Sequence, residues 1–224
     1  MKLTELLSIR PGITALTGSG GKTTTLYLLA NELQLFGTVL CTTTTHIRPP
    51  AHIPLLTTVP TCQTLSSALR RHRCLCIGTP AEHNKLTAPL IPIRRLAELA
   101  DYVLVEADGS RGLPLKAHLP HEPVVPPGTA QTILLLGASG FHRPAWEVVH
   151  RPDLFCSLAD ISPQTPVTAQ HVASVLLHEN PGGKIFINQV ECSSAADQAR
   201  LLASLLPWPV FAGSLKGGTW TCLS

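Results

Sequence analysis

The sequence predicts a three-layer α/β fold built on a mainly parallel sheet. Three observations carry that expectation. Short continuous apolar runs recur along the chain, amphipathic stretches separate them, and glycine or proline closes most segments. Apolar runs of about four to eight residues suit strands buried on both faces, as in a parallel sheet flanked by helices.

In chain order, strands are expected over 13–17, 38–43, 74–78, 102–106, 132–136, 184–188 and 210–212. The first helix is expected over 22–36, where Leu26, Leu29, Leu33 and Phe36 recur at helical spacing and Gly37 stops the run. The second covers 62–71 behind a cap at Thr61, and a third covers 94–100 after Pro92. A fourth, 169–178, follows Thr168 and ends at Asn180-Pro181-Gly182-Gly183; a fifth, 195–206, runs up to Pro207. The 20 prolines cluster over 49–60 and 114–127, which read as ordered loops near one sheet edge. Residues 144–168 read as a long connection or a small helical lobe within a single domain spanning 1–224.

The totals narrow the function classes. A hydrophobic share of 44% in 224 residues supplies a core and rules out disorder. The net charge of +3 comes from scattered residues with no basic run, so no nucleic-acid partner is expected. Seven cysteines without a CxxC pair read as reduced, mostly buried thiols. Cys74 and Cys76 would share one face of a strand without converging enough to bridge. Residues 1–10 lack the features of a signal peptide, and no apolar run reaches the ~18 residues of a membrane span. A soluble, cytoplasmic protein without a membrane partner is expected.

Chemistry concentrates in Thr17-Gly18-Ser19-Gly20-Gly21-Lys22-Thr23-Thr24, between the first strand and the first helix. Glycines let backbone N–H groups curl around phosphate oxygens, and the helix N-terminus adds partial positive charge. Lys22 would reach the β- and γ-phosphates of ATP or GTP, and the Thr23 hydroxyl would ligate Mg²⁺. The usual phosphate loop has a glycine where Leu16 stands here, so this is a shortened form, resembling the G-T-x-G-K-T-T loop of Mur ligases.

The strand over 102–106 ends in Glu106-Ala107-Asp108, where strand alternation would turn both carboxylates toward a metal ion. Thr42-Thr43-Thr44-Thr45-His46 ends the second strand on the same carboxyl edge; Thr44, Thr45 and His46 are candidates there, or the threonines are β-branched filler. Asp108 and His46 are the two candidates for a base. Arg111 and Lys116 could hold an anionic second ligand, or Arg111 could pair with Glu106 or Asp108. Asn188-Gln189-Val190-Glu191 resembles the N-K-x-D base-reading motif of GTPases, with Gln for Lys and the longer Glu for Asp, and reads equally as an ordinary strand end. His118-Leu119-Pro120-His121-Glu122 has metal-ligand residue types, but its prolines bar the helix that an HxxEH site requires.

Four segments together resemble the YqeC family of accessory proteins of selenium-dependent molybdenum hydroxylases. They are residues 18–24, Thr42 to Ile47 with Pro49-Pro50, Val105-Glu106-Ala107-Asp108-Gly109-Ser110-Arg111-Gly112-Leu113-Pro114-Leu115-Lys116, and Asn188-Gln189. The resemblance implies an auxiliary, NTP-dependent step in maturing such a hydroxylase or its cofactor. The partners it implies are a nucleotide, a molybdopterin-type anionic pterin, and the client hydroxylase or its maturation proteins. A Mg²⁺-dependent NTPase or phosphoryl-transfer enzyme, a Mur-like ligase and a non-catalytic nucleotide- or cofactor-binding chaperone all remain open at this stage.

Overall fold

The computed structural model describes residues 1–57 and 61–224, so Pro60, the last proline of the first cluster, lies outside the described residues. Two compact units divide the chain. One comprises Met1–Leu16, Thr23–Asp108 and Val124–Thr132; the other comprises Thr17–Lys22, Gly109–Pro123 and Ile133–Ser224.

The first unit takes most of β1 (Gly12–Gly18), with β2 (Val39–Thr43), β3 (Leu55–Leu56), β4 (Cys74–Ile77), β5 (Thr79–Ala81), β6 (Lys85–Thr87) and β7 (Tyr102–Glu106). Five of these lie in the order β1-β7-β2-β4-β3, and β5 and β6 form a separate antiparallel pair. β7 is parallel to β1 and β2, with Glu106 opposite Leu16 on one side and Thr43 on the other. That register brings the acidic strand end, the threonine run and Leu16 to one row.

Helices in this unit are α1 (Leu3–Leu6), α2 (Lys22–Leu33), α3 (Cys62–Arg71) and α4 (Ile93–Leu96). The Thr61 hydroxyl caps α3 by accepting from the Thr64 amide, and Arg70 and Arg71 suit the negative end of its dipole. Leu65, Leu69 and Leu96 pack with Leu40, Leu75 and Val103 in one core. α2 lies over the opposite face, where Tyr27 is half-buried within reach of Cys76, Cys41 and Glu106. Burial, then those neighbours, push its phenol well above the ordinary value.

The second unit contains β8 (Leu115–Lys116), most of β9 (Thr129–Gly137), β10 (Val149–His150), β11 (Lys184–Asn188), β12 (Val210–Ser214) and β13 (Thr219–Cys222). β9, β11 and β12 are parallel neighbours, and β13 closes that edge antiparallel to β12. α5 (Ala145–Val148), α6 (Pro152–Ala159), α7 (Ala169–Glu179) and α8 (Ser193–Leu205) complete it. Phe155, Val172, Leu176 and Leu202 pack with Leu134 and Ile185 in its core. Burying each such side chain contributes about 1.5–3 kcal/mol before chain entropy is charged against it.

All seven expected strands are present, and the fold class is α/β with a mainly parallel sheet. The strand expected over 132–136 is longer, and the helix expected over 94–100 is a single turn. α2 stops at Leu33, earlier than expected, because the chain tightens there: the Leu35 and Phe36 amides donate three residues back, to the Glu32 and Leu33 carbonyls. Residues 144–168 carry α5, β10 and α6. Among the described residues, no helix is long and apolar enough to cross a membrane.

Candidate functional site

β1 runs straight into the glycine loop and α2 starts at Lys22, so the turn between them has little length to spare. Gly20 has φ of +70°, and a Cβ there would collide with the Gly137 backbone nitrogen. Gly21 has φ of +136°, where a Cβ would lie 2.5 Å from the Asn188 amide nitrogen. Only glycine fits both positions. Ser19 anchors the turn: its amide donates to the Leu135 carbonyl (2.8 Å) and its hydroxyl to the Pro114 carbonyl (2.7 Å). The Asn188 side chain donates to the Gly20 carbonyl (2.7 Å) and accepts from the Leu215 amide (2.9 Å).

Lys22 is 4% exposed. Its ammonium donates to the Gly18 carbonyl at the foot of the loop and to the Ser110 hydroxyl (3.4 Å). The cation is therefore held against the backbone of its own loop.

Thr23, the next residue, belongs to the first unit, and its hydroxyl donates to Glu106 Oε2 at 2.8 Å. The Glu106 carbonyl accepts from the Thr43 hydroxyl (2.7 Å) and the Thr44 amide (3.1 Å). Thr44 Oγ1 donates to the Val124 carbonyl, and the Thr45 amide donates to Thr43 Oγ1. Much of the threonine run thus fastens strand ends together. Thr45 is half-buried, while Thr24 and His46 are exposed. Asp108 is buried two residues beyond Glu106. Among the described residues, no three His, Cys, Asp or Glu side chains gather into a metal-binding group.

In the second unit, Arg111 sits exposed at φ +51° in a turn held from below. Lys116 donates to the Gly109 carbonyl (2.8 Å) and pairs with Glu122 (2.9 Å), and its side chain is only 1% exposed. Glu122 also accepts from both terminal nitrogens of Arg151, at 2.5 and 2.7 Å. Burial alone would raise its pKa, but hydrogen bonds from Arg151 and Lys116 and their charges bring it down to about 2. His150 titrates below the ordinary value, first through burial and then through the charges of Arg151, Lys116 and Arg111. Sequence reasoning missed Ser110, Arg151 and the part played by Glu122, although Ser110 and Glu122 lie within or beside the acidic motif. His118 pairs through Nδ1 with Glu179 at the end of α7 (2.7 Å).

A cavity of about 250 Å³ lies apart from these groups. It is bounded by α8 and the β12–β13 edge, with Ala199, Arg200, Ala212 and Trp220 in its wall. None of the sequence-predicted site residues lines it.

The model of the YqeC protein family matches residues 14–153, more than half of the chain. The uncharacterized protein YqeC of Escherichia coli (strain K12) is 30% identical over 213 residues, covering 88% of this chain and 83% of that protein. The chain belongs to the YqeC family. The YqeC match takes in the glycine loop, Thr44 to His46, and the stretch from Glu106 to Lys116; Asn188 falls beyond the family model. Among solved structures, the signal recognition particle 54 kDa protein of Aeropyrum pernix K1, in complex with GDP, aligns with a TM-score of 0.43 at 15% identity. That alignment covers 96% of this chain, which spans 44% of that longer protein.

Proposed function

We propose that this YqeC-family chain binds a nucleoside triphosphate with Mg²⁺ on residues 18–24 and acts in the cytoplasm. We further propose that it supports maturation of a selenium-dependent molybdenum hydroxylase or its cofactor. The glycine loop carries this reading. Its backbone is forced into conformations that only glycine adopts, it opens a helix, and a buried lysine lies over it.

In this reading the backbone of Gly18, Ser19, Gly20 and Gly21 cradles phosphate, Lys22 neutralises it, and Thr24 lies on the adjoining helix turn. The Thr23 hydroxyl and Glu106 carboxylate, 2.8 Å apart, form an all-oxygen pair that suits a hard cation. Mg²⁺ commonly keeps several waters and takes its remaining ligands from phosphate, so a fuller protein cage is not required. Asp108 and His46 are the candidates for orienting the attacking group, with Thr44 and Thr45 on the same strand end. Arg111 would meet an anionic second ligand of the molybdopterin type, and Lys116 supports it by fixing the Gly109 turn.

Binding of ATP and GTP should be measured with and without Mg²⁺ in wild type and Thr23→Val. Mg²⁺ should strengthen binding to wild type about tenfold or more and do much less for the variant. Equal metal dependence in the two proteins would refute the assignment of Thr23 and Glu106.

A further inference from the structure

We propose that the ends of β11 and β12 form a guanine-selective base subsite in which the Glu191 carboxylate reads the base. The proposal rests on the nucleotide reading of the glycine loop and adds to it the identity of the base.

The Asn188 side chain is buried and joins three backbone segments. It donates to Gly20 of the loop and accepts from Leu215 in the turn after β12, while its own backbone ends β11. The loop and both strand ends are therefore held in fixed register by one amide. A nucleoside whose phosphates lie on the loop has its base directed along this same edge.

Glu191 lies just beyond Asn188 and is exposed, yet its carboxylate is not left to sweep through solvent. Oε1 accepts from the buried Ser214 hydroxyl at 3.0 Å, and Ser214 Oγ accepts in turn from the Gly217 amide at 3.0 Å. The Val190 amide donates to the Gly213 carbonyl, which pins the backbone beneath the carboxylate. An ordinary exposed strand-end glutamate has no such bracing. Here a relay of two hydrogen bonds and a backbone link orient one carboxylate three residues beyond the Asn188 that holds the loop.

Base chemistry then decides the ligand. An ionised carboxylate only accepts, and its two oxygens can take two parallel donors. Guanine presents such a pair, N1–H beside the exocyclic amine. Adenine presents an acceptor at N1 beside its amine, so one carboxylate oxygen would face a lone pair. Hypoxanthine keeps N1–H and loses the amine. Xanthine replaces the amine with a carbonyl, which suits a carboxamide offering one acceptor and one donor.

The test is titration of the Mg²⁺ complexes of GTP, inosine triphosphate, ATP and xanthosine triphosphate into wild type and Glu191→Gln. Wild type should prefer GTP over inosine triphosphate and ATP by about tenfold or more, the value of one charge-assisted hydrogen bond. Glu191→Gln should lose that preference and bind xanthosine triphosphate about tenfold better than wild type does. A variant that merely distorts the strand end would weaken all four nucleotides and gain none. Equal binding of GTP and ATP by wild type, or a GTP preference that survives in the variant, would overturn the base assignment alone. Binding of none of the four by wild type would instead overturn the nucleotide reading, and this subsite with it.

Discussion

Glu122 accepts from Lys116 and from both terminal nitrogens of Arg151, and so balances a nearly buried ammonium. Its folded pKa of about 2 lies below the ordinary 4.5, so the pair's stabilisation is fully present above the unfolded value. That contribution is lost as pH falls from about 4.5 through 2. Glu122→Gln removes the charge that Lys116 and Arg151 share and should cost about 3 kcal/mol at pH 7 in urea unfolding. The acid limb of the stability curve should also flatten. A variant as stable as wild type, with the same acid limb, would show that the pair is not structural. Asn188→Ala removes two hydrogen bonds and should cost about 2 kcal/mol, measured in the same way. The sequence disclosed that Lys116 and Asn188 carry polar chemistry, but not their partners. Lys116 reads as a cation for a ligand until Glu122 and the distant Arg151 are brought beside it, which is tertiary information.

At the scale of elements, the β1–loop–α2 unit depends on close approach. Gly20→Ala should add about 1–3 kcal/mol of backbone strain and push the loop away from Gly137. Nucleotide affinity should fall steeply while the circular dichroism spectrum stays native. Unchanged affinity in a folded variant would mean that the loop does not need this geometry. The same unit was the most legible in the sequence, because glycine spacing, the apolar run before it and the amphipathic run after it agree. Buried strands were legible for a similar reason: a continuous apolar run has few other uses. Short elements were not. β3, β8 and β10 are two residues each, too short to show a period. β13 had a usable signal, since Gly217-Gly218 stands between two strand-like runs, but its Thr-Trp-Thr-Cys composition lacks an apolar run.

For the whole molecule, fold class and family could both be read from the chain, since each depends on patterns that recur over its length. The proposed role in cofactor maturation would depend on a second ligand and a client, and no residue pattern encodes their identity directly. Thiol accessibility offers a global check on the packing. Cys62, Cys192 and Cys222 are exposed, whereas Cys41, Cys74, Cys76 and Cys156 are buried, and burial pushes the Cys76 thiol up to about 12. An aromatic disulfide reagent should therefore label three thiols quickly in the native protein and the other four only on unfolding. Rapid labelling of more than three under native conditions would contradict the buried strands.

The central claim is that residues 18–24 bind nucleotide, and calorimetric titration of Mg²⁺–ATP and Mg²⁺–GTP into wild type and Lys22→Ala tests it most directly. The account predicts saturable binding of at least one nucleotide by wild type. It predicts about a hundredfold loss or more in the variant, as two charge-assisted hydrogen bonds to phosphate disappear. Binding that survives unchanged in Lys22→Ala, or a folded wild type that takes neither nucleotide, would contradict it.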